Sequence, residues 1–155
     1  MSLVSGVLRG AAAGAAGTTA LNAVTYLDMV ARGRPTSSTP EDTVEKLSDK
    51  TGVPIPGDED TRSNRVAGLG PLTGLVAGVG TGTALGVGRS LGWCPGPVAG
   101  SLAATAGALV GSNGPMTVLG ITDPRTWATK DWVSDVVPHL AYGIVTACVL
   151  LGLDT

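Results

Sequence analysis

Charged side chains are absent from four long runs of the chain, 10–27, 66–88, 90–122 and 136–153. Each run is close to, or longer than, the ~20 residues a helix needs to cross a bilayer. Within the second run glycine recurs at every fourth position: Gly70, Gly74, Gly78, Gly82 and Gly86. Residues four apart share one face of an α-helix, so these positions form a ridge without side chains. In water such a helix is poor, because each glycine costs about 1 kcal/mol relative to alanine. In a bilayer the backbone must satisfy its own amides, and a bare ridge lets a second helix approach backbone to backbone. Leu72, Val76, Val79 and Thr83 lie on one stripe roughly opposite the first half of the ladder, the side expected to face lipid. Gly10, Gly14 and Gly17 repeat the small-residue pattern upstream, and Gly96, Gly100, Ala104 and Ala108 repeat it downstream.

The pattern predicts an all-α membrane protein: a four-transmembrane-helix bundle with spans near 3–29, 66–88, 97–112 and 132–153, forming one domain over 1–155. A Gly/Ala-rich soluble helical protein is the competing reading, but such a chain needs bulkier side chains to fill its core. Leu21-Asn22-Ala23 imitates a signal-peptide cleavage site. Yet no basic residue precedes the apolar run and Arg9 falls inside it, so the first segment reads as a retained helix.

The loop over 30–65 carries Arg32, Arg34, Lys46, Lys50, Arg62 and Arg65, and the loop before the last span adds Arg125 and Lys130. Only Arg9 and Arg89 fall on the other side, so the basic-residue bias places both loops in the cytoplasm and both termini outside. The location implied is the plasma membrane, with several crossings. Trp93, Trp127 and Trp132 stand near span ends, where indoles prefer to lie. Thr39, Pro40, Glu41 and Asp42 form a helix start and Gly52 a stop, which predicts a short amphipathic helix in the long loop. Ser112-Asn113-Gly114-Pro115 interrupts the third run, and a helix end there is expected, followed by a re-entrant segment or the interface.

Composition narrows the chemistry. Acids and bases nearly balance at a net charge of −2, which suggests no nucleic-acid surface. No zinc-protease, nucleophile-elbow, phosphate-loop or paired-cysteine motif is present, and neither a cofactor nor a metal is expected. Asp58-Glu59-Asp60 could attract a divalent cation but lacks the alternating ligands of a calcium loop, and reads better as a helix start. Cys94 and Cys148 alone do not establish a disulfide. The candidate polar site consists of Asp135, His139, Asn113, Asn22 and Asp28, since ionisable groups near bilayer depth are costly unless they pair or work. Asp131, Asp135 and His139 are spaced four apart, with Tyr142 beyond. Asp135 either orients the imidazole for a proton relay or caps the last helix.

Taken together, TYLDMVARGRP, SSTPE, GLGPLTG, NGPM, DPRTW and DWVSDVVPHLAYG resemble a group of small four-helix membrane proteins of high-GC actinobacteria with no assigned function. The resemblance implies a plasma-membrane location and transfers no catalytic role. Three functions compete. The first is a non-enzymatic structural or accessory subunit, packing into a homo-oligomer or larger membrane complex among membrane lipids. The second is a small transport or permeation unit using Asn113, Asp135 and His139. The third is a lipid-acting membrane enzyme.

Overall fold

Residues 2–153 are described by a computed structural model, and within them all regular structure is helical. Helix α1 spans Leu3–Arg32, α2 Thr39–Thr51, α3 Glu59–Ser90, α4 Pro97–Val118 and α5 Thr129–Leu153; a single 3₁₀ turn covers Pro124–Thr126. The caps follow from the sequence. The Ser2 hydroxyl accepts from the Ser5 amide at 3.1 Å, and the Asp58 carboxylate accepts from the Thr61 amide at 2.9 Å. Gly33 and Gly52 end α1 and α2 in the left-handed conformation, which costs glycine nothing. The loop helix is therefore present where its start and stop signals placed it. The acidic triplet opens α3, and the two Thr61 hydrogen bonds hold the Asp58 carboxyl below its ordinary range.

Helix α1 packs against both α3 and α5, and the three helices meet around Thr18, Gly78 and Tyr142. Helix α4 lies on α5 and touches α3, and α2 folds back onto α3. An Arg62–Glu45 ion pair at 2.7 Å fastens α2 to α3. The glycine ladder is divided among three surroundings. A Cβ on Gly82 would stand 2.5 Å from the Gly10 carbonyl oxygen and from the Gly14 Cα; one on Gly10 would stand 2.5 Å from the Gly82 oxygen. Gly86 meets Gly6 and Gly10 in the same way, and Gly78 meets Thr18. Gly70 instead lies against Pro40 and Glu41 of α2, and a Cβ on Gly74 would meet nothing within 4 Å. Backbone contact with α1 is what holds so glycine-rich a helix together. Of the opposite stripe, Leu72 and Val76 are exposed, while Val79 and Thr83 are half-buried beside α1.

The expectation of four membrane spans is not met. Among the described residues only α5 is long and apolar enough to cross a membrane, and 39% of its most apolar window is buried inside the protein. The physical reason is that a run free of charge is not thereby strongly apolar. Leucine, isoleucine, phenylalanine and valine drive insertion by their side chains, and the glycines, alanines and threonines of α1 and α3 supply little. The termini-out orientation falls with the even number of crossings it assumed. The break near Asn113 is also absent: α4 continues through Pro115 to Val118. Pro115 withdraws one amide but the helix closes over it, as neighbouring bonds hold the turn.

The interior is built from small groups. Ala13, Ala104 and Thr146 are fully buried, and Tyr142 is the largest side chain with no exposure. Its hydroxyl donates to the Gly78 carbonyl of α3 at 2.6 Å. Gly143 lets α5 come down on Ser101 and Thr105 of α4, a close approach that the four-residue spacing did not reveal.

Candidate polar site between α4 and α5

Three of the five sequence-selected polar residues come together. Asn113 on α4 donates from Nδ2 to Asp135 Oδ2 on α5 at 2.8 Å. One turn on, His139 Nδ1 lies 2.7 Å from the Asp135 backbone carbonyl and 3.4 Å from its Oδ1. The shorter contact is with the carbonyl, so the backbone fixes the ring more directly than the carboxylate does. A carbonyl only accepts, and Nδ1 therefore carries a hydrogen. Nε2 faces the Ser112 hydroxyl at 3.2 Å. His139 is buried, and the Asp135 side chain is about four-fifths covered.

Asp135 is not the cap of α5. That task falls to Asp131, whose Oδ2 accepts from the Ala128 amide at 3.0 Å at the start of the helix. Asp135 sits a turn further in, where its carboxylate is an interhelical acceptor. Pro138, within α5, removes the amide that would otherwise bond the Ser134 carbonyl. The Ser134 hydroxyl itself takes an Arg32 hydrogen bond from α1 and gives one to the Lys130 carbonyl.

Asp28 lies apart from this cluster, at the end of α1. It is paired with Arg32 and, at 2.6 Å, with Arg34. Hydrogen bonds from Arg32 first, then Arg34, hold its carboxyl below the ordinary range. Asn22 borders a cavity that also reaches His139.

Two cavities adjoin at the cluster. The larger, about 500 Å³, lies among α1, α4, α5 and the segment leading into α2, with Arg34, Asn113, Asp131, Asp135 and Trp127 on its walls. The smaller, about 300 Å³, lies between α1 and α3 under the start of α2, and reaches Gly74, Glu41 and Tyr142. Both are walled by Leu21, Thr25, Ser37, Pro40 and His139, so the imidazole stands at their common boundary. Both volumes fall within the range of small-molecule pockets. The Trp127 and Trp132 rings meet edge to face at 5.0 Å, and Trp127 Nε1 donates to Thr122 at 2.8 Å, which steadies the outer wall.

Sequence reasoning missed Ser112 and Glu41 as members of this region. Ser112 carried a faint signal, since it is a hydroxyl next to Asn113 in the run that interrupts the third charge-free stretch. Glu41 carried none, because only the fold-back of α2 onto α3 brings it there. Cys94 and Cys148 are exposed thiols, and no group of histidine, cysteine and carboxylate ligands able to hold a metal occurs among the described residues. Comparison with protein-family models, with curated proteins and with solved structures finds no match to this chain.

Proposed function

We propose that the chain is a non-enzymatic accessory protein that associates with a membrane and packs, through its outer helix faces, against lipid and a larger complex or further copies of itself. The observation that carries this reading is the apolar exterior. Leu8, Leu27 and Val30 on α1, Leu72 and Val76 on α3, Leu102 and Val110 on α4, and Val137 and Ile144 on α5 are all exposed. Apolar surface on that scale calls for a cover of lipid or protein. Helix α5 has the length and composition to enter a bilayer. Asn113, Asp135, Ser112 and His139 bond to one another across α4 and α5, which gives them a part in joining the two helices.

The test is fractionation. Membranes from cells making the protein are washed with alkaline carbonate, floated, and the extracted protein is weighed intact by native mass spectrometry. Retention in floated membranes with co-purifying chains, copies or lipids is expected. Release as a monodisperse monomer without lipid would overturn the proposal.

A further inference from the structure

The His139 ring is held so that one of its nitrogens can take a proton from a hydroxyl. Nδ1 points at the Asp135 backbone carbonyl, 2.7 Å away, and keeps its hydrogen there. Nε2 is then the lone-pair nitrogen of the neutral ring, and it faces the Ser112 hydroxyl at 3.2 Å. The Asp135 carboxylate stands on the Nδ1 side at 3.4 Å and is itself anchored by Asn113 at 2.8 Å. A hydroxyl, an imidazole within reach of it and a third group that orients the imidazole are the parts of an activated nucleophile. The Ser112 hydroxyl also lies 2.9 Å from the Ala108 carbonyl. That oxygen accepts a hydrogen bond but is too weak a base to remove the proton, so the task falls to Nε2.

Both groups open on free space. Ser112 is part-buried, and together with His139 it borders the cavity of about 300 Å³ between α1 and α3. Leu21, Pro71 and Leu75 give that cavity apolar walls, and Gly74 adds no side chain to it. The amides around Ser112 belong to the α4 ladder and offer no pair of donors to an oxyanion, so the electrophile has to bring a good leaving group. For the same reason the ester that forms is slow to hydrolyse, and the outcome is a modified chain and not turnover. We infer that Ser112 is a site of covalent acylation, taking a short acyl group from an activated ester with His139 as the base. The bond from Oγ to the acyl carbon forms, and the bond to the leaving oxygen breaks and takes its electron pair with it. The Oγ proton passes to Nε2 and from there to the departing anion or to water. Acylation at this site does not require membrane association.

The probe is p-nitrophenyl butyrate, added to the purified full chain and followed by intact mass and peptide mapping. One butyryl group per chain is expected, carried by Ser112. It should form about a hundredfold faster than on Ser37, which borders the same cavity but bonds to the Thr39 hydroxyl. Ser112→Ala should remove the adduct while the helical spectrum is kept. His139→Gln leaves a polar group beside Ser112 without a base, and labelling should slow by about a hundredfold or more. In His139→Ala, added imidazole should restore part of the rate, which a ring with a purely structural role would not allow. No adduct at millimolar probe, or butyryl groups on Cys94, Cys148 and the lysines with none on Ser112, would overturn the site in the unaltered protein, whether or not any variant folds. Labelling of Ser112 at an unchanged rate in His139→Gln would overturn His139 as the base.

Discussion

The Ser112 hydroxyl on α4 lies 3.2 Å from His139 Nε2 on α5 and 2.9 Å from the Ala108 carbonyl of its own helix. A serine has one proton, so it serves one of these acceptors at a time. With a neutral ring it donates to Nε2; with a doubly protonated ring Nε2 donates to it and the serine turns to Ala108. Nδ1 keeps its hydrogen in both states, held by the Asp135 carbonyl. Nitrogen-15 NMR of the neutral ring is therefore expected to show the Nδ1–H tautomer. Asp135→Asn should leave that tautomer in place, since the accepting atom is backbone. An Nε2–H ring would show the assigned geometry to be wrong.

The division of the glycine ladder gives opposite expectations for one kind of substitution. At Gly82 a methyl group would meet the Gly10 carbonyl and Gly14 backbone at 2.5 Å, where nothing flexible can yield. Gly82→Ala should destabilise by about 1–3 kcal/mol, as overpacking does. At Gly74 the methyl meets nothing within 4 Å, and Gly74→Ala should stabilise by up to about 1 kcal/mol through helix propensity. Thermal unfolding of the two variants in the same buffer decides, and equal melting temperatures would remove the argument for backbone contact between α1 and α3.

Tyr142 joins α5 to α3 by one buried hydrogen bond, 2.6 Å to the Gly78 carbonyl. Tyr142→Phe keeps the ring in the core and removes only the donor. Because the Gly78 carbonyl retains its place in the α3 ladder, the cost should be about 0.5–1.5 kcal/mol. Tyr142→Ala adds the lost ring and should cost about 3–5 kcal/mol, by analogy with buried phenylalanine. Denaturant unfolding of both variants checks the order and the gap.

Acid should weaken the junction after α1. The Arg32 and Arg34 hydrogen bonds lower the Asp28 pKa on folding, so the unfolded chain binds more protons as pH falls. The contribution is whole above the ordinary carboxylate value of about 3.9 and is lost as pH drops through the lowered folded value. Melting curves of the wild type and Asp28→Asn should be separated near neutrality and converge in strong acid. Curves that remain parallel to the lowest pH would exclude a role for this carboxylate in acid stability.

What the sequence determined by itself was local. Gly52 and Asp58 mark helix ends because caps and stops act within one turn, and α2 lies between its own start and stop signals. The spacing of Gly82 and Gly86 marks a surface that the α1 backbone approaches, while Gly78 receives the Thr18 side chain. Charge-free runs were misleading, because the lack of charge says how little burial costs and nothing of how much apolar side chain is gained. Pro115 was misleading for a related reason: a breaker acts on one hydrogen bond, and a helix already held by its neighbours continues through it. Only the tertiary structure decided which glycine meets which helix, since Gly70, Gly74 and Gly78 are identical in sequence and differ in what lies opposite. It alone brought Glu41 of α2 and His139 of α5 to the walls of one cavity, because that meeting follows from how α2 folds back onto α3 and how α1 holds α3 and α5 together.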